Sequence, residues 1–574
     1  MSQSNKFLLP IIGAVVLAGA AAGAYFLLSR SGSQPEVTIG TDQPQVPTPA
    51  INEATIVPSN ALILVAVNTD GAALKQLETF LPADAKKILD EAVNTFNRGL
   101  KDANIDLAKD IQPWAGNNLV VAILPAGKPA ASRPLYSPVS FKDGTNWRTV
   151  QAQVDAPTPP NFVIVVGVKD QSAANKFLET ARAKAGGKTK NSDYKGVTIT
   201  VPEAGGDKAP ISAFVKDYLV LSNREASIQA VIDTANGGES ISGALPTTGL
   251  AVENSLVSVF IPNVKQNAEA LTTLVPDTNG LPPNAVKQLK LIESIALVMG
   301  VDSKGIRLKS VTKYDSAIPL PTGVAPNKIL TLLPGETLAV VTGLSIKAEW
   351  ERILKLAEQF PEIKQAVEIM RSSAKAQPWA LEDLDKDVFG WMDGEYSIAI
   401  IPSSEGILAN TGMGPVLMLQ TSDRASAEKF LKKLDEISQK TGAQVATKDV
   451  GGVTVTEHTI PGAGTFLAHG WVQSDTLFFG SAPLVSLIVP KPNAPLTEDA
   501  SFKALLGSLT SNGRGYFYLD MPKLMQVVTK LTPPDTIPAP AKNFLDAMLG
   551  VGVSYVVPDS VTAQIDLLVS FKAK

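Results

Sequence analysis

A pattern of strand-like and helix-like segments occurs twice in this chain, and this repeat constrains the fold more than any single motif does. Segment 161–184 reads as a buried strand followed by an amphipathic helix, and segment 414–437 repeats it, with Phe177 and Phe430 lying 253 positions apart. Three further matching pairs lie 256 to 258 positions apart: Gly196 and Gly452, Asp217 and Asp475, and Asp302 and Asp559. Several independent pairs at nearly one spacing indicate a duplicated structural unit.

The local pattern within each copy is typical of antiparallel strands. Short apolar runs such as 197–201 and 212–215 are separated by turn-forming Gly, Asp and Pro, without room for a crossover helix. We therefore predict an α+β fold with two tandem copies, 54–316 and 332–574, each an antiparallel sheet with helices packed on one face.

The two copies differ by an insertion. Trp114 and Trp391 follow matching acidic segments but lie 277 positions apart, a larger spacing that predicts extra residues in the first copy. The proline-rich run 125–160 is where they fit. It contains cationic and aromatic residues suited to binding a protein partner: Arg133, Tyr136, Lys142, Trp147 and Arg148. The alternative is a surface insertion without a function.

The N-terminus has the pattern of a membrane anchor. After a short head, 1–6, residues 7–28 form an uncharged stretch of 22 residues between Lys6 and Arg30. About 20 apolar residues span a bilayer core as a helix, so we predict a transmembrane helix. The alternative is a cleaved signal peptide, but apolar residues continue beyond the small residues at 18–20. The proline-containing stretch 29–53 is predicted to be an extended tether.

Small residues within the predicted span have the spacing of a helix-dimer contact. Gly19 and Gly23 are four positions apart, which lets two membrane helices approach closely. A homodimer through the anchor is a hypothesis; the favoured alternative is that this spacing arises by chance in an Ala/Gly-rich span. A short head before a large domain favours the large domain outside the cytoplasm.

Two segments resemble a family of uncharacterised, membrane-anchored bacterial proteins of the cyanobacterial type. They are 57–63 (VPSNALI) and 110–116 (DIQPWAG), in a chain with an anchor and two copies. The second copy departs from the pattern, with WMDG at 391–394. With this resemblance we expect the cell inner membrane or the thylakoid membrane, and the short head before the span places the large domain on the periplasmic or lumenal side. It implies no activity and no catalytic residues.

Composition excludes several kinds of chemistry. The chain has no cysteine and only two histidines, which excludes disulfides and thiolate metal sites. Its net charge of -4 gives no basic surface for nucleic acid. No Gly-x-Ser-x-Gly elbow occurs, and Gly186–Thr189 lacks the first glycine of a phosphate-binding loop. We therefore predict no cofactor and no catalytic residues.

Three further patterns are candidates for sites. Asp383, Asp385 and Asp387 alternate as calcium ligands do, but Val388 stands where the loop needs glycine, so a solvated turn is predicted. His458 and His469 flank a tight turn and are predicted diagonal neighbours on one sheet face. A zinc site there lacks an evident third ligand on that face, so two structural histidines are predicted. Trp114 and Trp391 are predicted core residues, with a partner contact as the alternative.

The sequence predicts a binding role and not an enzyme. The main hypothesis is a membrane-tethered, non-enzymatic extracytoplasmic protein that binds or organises a protein partner. The alternatives are a binding module for a lipid or other apolar small molecule, and a hydrolase with an unrecognised site.

Overall fold

The computed structural model describes residues 50–69, 71–87, 107–125, 161–184, 188–203, 210–272, 274, 283–376, 378–533 and 536–572. The predicted span 7–28, with Gly19 and Gly23, lies outside these residues, and so does the predicted partner-binding segment from 126 to 160. In the part that is described, no helix combines the length and apolar character needed to cross a membrane.

The described residues form runs of strands interspersed with helices. The first half contains strands β1 (Ile63–Asn68), β2 (Ala115–Leu124), β3 (Asn161–Val168), β4 (Thr189–Tyr194), β5 (Val197–Pro202), β6 (Ile211–Val215), β7 (Tyr218–Ser222), β8 (Asn254–Ile261), β9 (Ile292–Val301) and β10 (Gly305–Tyr314). Its helices are α1 (Ala72–Phe80), α2 (Gln171–Lys184), α3 (Glu225–Ala235), α4 (Ala268–Thr272) and α5 (Pro283–Leu289).

The second half has elements of the same kinds. Its strands are β11 (Ala339–Leu344), β12 (Glu395–Pro402), β13 (Met413–Gln420), β14 (Gln444–Val450), β15 (Val453–Ile460), β16 (Gly464–Trp471), β17 (Thr476–Gly480), β18 (Gly515–Asp520), β19 (Met548–Asp559) and β20 (Thr562–Phe571). Its helices are α6 (Ile346–Gln359), α7 (Pro361–Lys375), α8 (Arg424–Lys440), α9 (Val485–Ile488), α10 (Ala500–Leu506), α11 (Met521–Leu531) and α12 (Ala539–Ala547).

All these strands pair antiparallel in one large sheet. In the first half the spatial order is β4-β5-β6-β7-β3-β2-β1-β8-β9-β10. In the second half it is β14-β15-β16-β17-β13-β12-β11-β18-β19-β20. The mixed α+β class with antiparallel pairing is therefore confirmed, and the two orders correspond strand for strand.

The two halves do not form separate sheets, because β10 pairs with β20. Lys309 lies directly opposite Asp566, and these two residues differ by the same 257 positions as Asp302 and Asp559. The junction therefore joins corresponding strands of the two halves about a local two-fold. Pairing hides two strand edges that would otherwise expose unpaired backbone groups.

Helices cover both faces of the sheet, so the prediction of helices on one face is wrong. On β3, Val163 and Val165 pack into the core beneath α3, whereas Ile164 and Val166 pack beneath α2. We call the first face A and the second face B. Because these strands carry apolar residues at successive positions, each face needs its own cover to remove apolar surface from water.

Each half begins with a turn of 3-10 helix that lies earlier than the predicted boundary. These turns are Asn52–Ile56 and Lys328–Leu332, against predicted starts at 54 and 332. Glu53, predicted to end an extended tether, is 5% exposed. Ile56 and Leu330 pack into the cores on face A, so burial draws these residues into the folded part.

The two matched tryptophans are core residues, as predicted. Trp114 and Trp391 are 3% and 0% exposed and contact Phe177 and Phe430, with ring centroids 5.5 and 5.7 Å apart. Each indole donates a hydrogen bond to the backbone carbonyl four residues earlier, at 2.6 and 3.2 Å. Buried in this way, neither indole ring is available to a partner.

Candidate functional sites

Helix α8 brings a carboxylate over the two histidine-bearing strands. The helix begins where the Asp423 side chain accepts a hydrogen bond from the Ser426 backbone N–H, at 3.0 Å. Ala427 and Leu431 then point to face B at helical spacing and fix which side of α8 faces the sheet. Asp435 follows four positions after Leu431 on that same side.

The histidines are diagonal neighbours on face B, as predicted. His458 of β15 lies opposite Leu467, and His469 of β16 lies opposite Thr456. Their ring centroids are 5.4 Å apart, and the rings are 0% and 3% exposed. The turn at 461–463 pairs Ile460 with Gly464, and a β-bulge at Phe466 then shifts the register by one residue, which places both imidazoles under α8.

One carboxylate oxygen lies against both rings. His469 Nε2 donates a hydrogen bond to Asp435 Oδ1 at 2.8 Å. His458 Nε2 lies 2.9 Å from the same oxygen, but not in hydrogen-bond geometry, and neither ring nitrogen of His458 has a hydrogen-bond partner among the described residues. The structure thus brings together a third donor that the sequence did not reveal.

The environment favours a charged carboxylate. Partial burial raises the pKa of Asp435, but the contacts with His458 and His469 outweigh it and lower the pKa to about 2. The Asp435 side chain is 27% exposed, whereas the rings are closed off from solvent. The donor atoms of the three side chains lie within 4.8 Å of one another, close enough to hold one metal ion.

The first half has different residues at the corresponding positions. Ser212 lies opposite Leu221 across β6 and β7, as His469 lies opposite Phe479 across β16 and β17. Arg182, five positions after Phe177 as Asp435 is after Phe430, donates a hydrogen bond to Ser212 Oγ at 2.7 Å. A helix-to-sheet polar contact therefore occurs in both halves, but only the second half has metal-binding side chains there.

A second candidate site is a cavity on face A of the first half. Its volume is about 350 Å³, within the range of small-molecule pockets. Its walls are mainly apolar, with a few hydroxyl and amide groups; they include Ile51, Leu245, Pro246, Leu250, Phe260, Ala296, Val298, Asn52, Thr55, Ser242 and Ser258. Such a lining suits an apolar ligand.

A missing helix explains this cavity. In the second half, α10 packs on β18 and β19 of face A, with Phe502 in edge-to-face contact with Tyr518 at 5.0 Å. The segment 245–253 of the first half forms no helix. Phe260 lies on the strand and the face that correspond to those of Tyr518, and it lines the cavity instead.

A third candidate site is an apolar area on face B of the second half. Ile398 is 47% exposed although its strand, β12, lies between β11 and β13. Its cross-strand neighbours Val341 and Leu417 are half-buried. In the first half Val65 and Val121 form a pair at the corresponding place, and both are buried.

Carboxylates of the acidic segment 383–387 accept hydrogen bonds from nearby groups, including the backbone of the same segment. Asp383 Oδ1 accepts hydrogen bonds from the backbone N–H groups of Asp385 and Lys386, at 3.0 and 3.2 Å. Asp385 accepts the indole N–H of Trp350 at 2.9 Å and pairs with Arg371. Where a solvated turn was predicted, the segment runs into a π-helical turn, Asp385–Phe389, in which Asp385 and Asp387 are half-buried and the carboxylates accept local hydrogen bonds.

Comparison with known proteins identifies the family. The fold is a mixed α+β architecture built on one antiparallel sheet, and the sequence from residue 11 to residue 571 matches the family described as protein of unknown function DUF3352. The chain belongs to that family, which covers nearly its whole length, so the predicted membership of an uncharacterised family is confirmed. No curated protein matches the sequence.

Two solved structures show a weak likeness to part of this chain. Crystal forms III and I of a protein named TP0453 align with this chain at 10% identity and a TM-score of 0.23. The alignments cover 46% of this chain and 81% and 80% of those chains. At that TM-score the likeness carries no argument about fold or function.

Proposed function

We propose that this chain is a membrane-tethered, non-enzymatic extracytoplasmic protein that binds an apolar small molecule, such as a lipid acyl chain. In this proposal residues 7–28 hold it to the cell inner membrane or the thylakoid membrane, and two copies of one α+β unit lie on the periplasmic or lumenal side. The observation that carries the proposal is the apolar cavity of the first half.

The position of the cavity favours a ligand taken from the membrane. Ala50 and Ile51 belong to its wall, and only residues 29–49 separate them from the predicted span. A ligand gains about 0.8 kcal/mol of binding free energy for each CH₂ group that it buries against such an apolar surface. The few polar groups, such as Asn52 and Thr55, suit the polar end of a lipid.

Binding of cis-parinaric acid, a fluorescent fatty acid, tests this proposal on the full chain in detergent. We expect saturable binding of one molecule per chain. Ser258→Leu places extra methyl groups in the cavity and should weaken binding at least about fourfold, because it displaces one to two CH₂ groups of the ligand. Ser255→Leu, on the same strand and outside the cavity wall, is the matched control. Equal binding by both variants, or none by the wild type, contradicts the proposal.

A second candidate function is binding of a protein partner, as the sequence predicted. The observation that favours it is Ile398, an exposed apolar residue at the centre of a sheet face. Contiguous exposed apolar patches are typical of partner contacts, and Ile398 forms one with its half-buried neighbours Val341 and Leu417. In the insertion, Arg133, Tyr136, Lys142, Trp147 and Arg148 remain predicted contacts.

Quantitative cross-linking in the native membrane tests this second function. Ile398→Asp should reduce the recovery of specifically cross-linked partners at least about tenfold, because a charge in an apolar contact loses its hydration. Ile460→Asp is the matched control, since Ile460 is 45% exposed and Ile398 is 47% exposed. Equal recovery with both variants, and with residues 126–160 deleted, would exclude these surfaces.

A further inference from the structure

We propose that Asp435, His458 and His469 form a binding site for one divalent transition-metal ion, and that Zn²⁺ fits it best. Two imidazole nitrogens and one carboxylate oxygen are a donor set that zinc uses in proteins. The three side chains come from α8, β15 and β16, so a bound ion would join the helix to two strands of the sheet.

The geometry converges on one point. Both Nε2 atoms lie within 2.9 Å of Asp435 Oδ1. Bonds of about 2.0–2.2 Å in a tetrahedral site place donor atoms about 3.3 Å apart. An ion therefore requires the carboxylate oxygen to move away from both rings, which its 27% exposure allows.

The environment of His458 also supports the proposal. This residue is 0% exposed, its Nε2 lies 2.9 Å from Asp435 Oδ1 outside hydrogen-bond geometry, and its Nδ1 has no hydrogen-bond partner among the described residues. A buried polar group without a partner costs about 1–3 kcal/mol. Coordination through Nε2 would satisfy the nitrogen that faces Asp435, and a site with three protein ligands leaves a fourth position on the exposed side of the carboxylate for water.

The two halves give an internal comparison. The corresponding residues of the first half are Arg182, Pro202 and Ser212, because Thr200 pairs with Ser212 as Thr456 pairs with His469. A guanidinium, a proline ring and a hydroxyl do not bind Zn²⁺. The proposal therefore requires one ion per chain and not two.

The composition makes the test specific. The chain has two histidines and no cysteine, so any imidazole bound to a metal must come from this site. The full chain, purified in detergent with a tag that contains no histidine, is titrated with Co²⁺ and then with Zn²⁺. We expect visible absorption of four-coordinate Co²⁺ at one ion per chain, its displacement by Zn²⁺, and a higher midpoint of thermal unfolding with Zn²⁺.

Conservative variants identify the ligands. His469→Gln and Asp435→Asn should each weaken Zn²⁺ binding at least about tenfold, because each removes one of three protein ligands. Glu436→Gln is the matched control: it removes the neighbouring carboxylate of the same helix and should leave affinity unchanged. Circular dichroism shows whether each variant is folded.

X-ray absorption of the Zn²⁺-loaded wild type keeps the proposal falsifiable if a variant fails to fold. We expect scattering from two imidazole rings and two oxygen ligands. Ligation by oxygen alone would overturn the proposal, and so would affinity that is equal in the wild type and in Asp435→Asn. An absence of saturable Co²⁺ binding by the wild type would also overturn it.

Discussion

Replacing Asp566 by asparagine is expected to lower the free energy of unfolding by about 3–5 kcal/mol, because it breaks a buried ion pair at the junction of the two halves. Arg307 of β10 donates to both carboxylate oxygens of Asp566 on β20, from Nε at 2.8 Å and from Nη2 at 2.5 Å. The Asp566 side chain is 2% exposed and the Arg307 side chain 14% exposed. In the variant, one of the two oxygens that accept hydrogen bonds from Arg307 becomes an amide nitrogen, which cannot accept a hydrogen bond.

The contacts around this pair explain why the effect should be large. Thr510 donates to Asp566 Oδ2 from its backbone N–H and from its hydroxyl, both at 2.8 Å, and Asp302 accepts from Arg307 Nη1 at 3.1 Å. These hydrogen bonds connect the end of the first half with the end of the second. Losing one member of such a network leaves several polar groups unsatisfied.

Urea unfolding of the full chain, followed by tryptophan fluorescence, measures this effect. Asp546→Asn is the matched control, because Asp546 pairs with Lys542 on the surface and both side chains are more than 40% exposed. An exposed pair contributes about 0–1 kcal/mol. If Asp566→Asn stays within about 1 kcal/mol of the wild type, the junction does not depend on this pair.

Glu395→Gln is expected to make the protein more stable at pH 8 by up to about 3 kcal/mol, with little effect at pH 4. Glu395 is 1% exposed at the start of β12, and its Oε2 accepts the Ile329 N–H at 3.1 Å. Burial raises the pKa of Glu395 to about 7, and the hydrogen bonds from the backbone of residues 327–329 only partly oppose it. Above that pH the folded protein must hold a buried charge.

The direction of this pH dependence follows from the pKa of Glu395 in the folded and in the unfolded protein. An unfolded glutamate titrates at the ordinary value of 4.5, whereas the folded one titrates near 7. Between these values the folded state binds more protons, so stability falls as pH rises from about 4.5 to about 7 and is constant above. Glutamine cannot ionise, and the variant should lack this fall.

The difference in unfolding free energy between the wild type and Glu395→Gln, measured from pH 4 to pH 8, isolates this group. Other carboxylates contribute equally to both proteins and cancel. Asp435, with its pKa lowered to about 2, changes charge below this range. A difference that stays flat across it would show that Glu395 ionises normally in the folded protein.

Local patterns in the sequence predicted most individual elements. The strand and helix at 161–184 were predicted and are β3 and α2, and the run at 197–201 lies in β5. These predictions succeed because strand and helix periodicity is fixed by backbone geometry within a few residues. The order of strands was not predicted, since pairing depends on contacts between residues far apart in the chain.

The candidate metal site also combines a feature that local sequence predicts with one that depends on contacts between distant residues. The turn between β15 and β16 predicted that His458 and His469 are diagonal neighbours, and the structure reaches that register through a β-bulge at Phe466. Asp435 lies on a helix that precedes both strands. Its spacing from Ala427 and Leu431 places it on the apolar side of α8, but that spacing does not show which strands lie beneath the helix. Only packing of α8 on face B brings its carboxylate within 2.9 Å of both rings.

The sequence by itself determined the kinds of elements, the matching segments of the two halves and the absence of cysteine chemistry. Composition and periodicity are properties of neighbouring residues, so they need no fold to be read. The tertiary structure decided that β10 pairs with β20, that helices cover both faces, and that the lack of a helix at 245–253 leaves a cavity. These depend on which surfaces meet, and burial of apolar surface between distant segments sets that choice only when the whole chain folds.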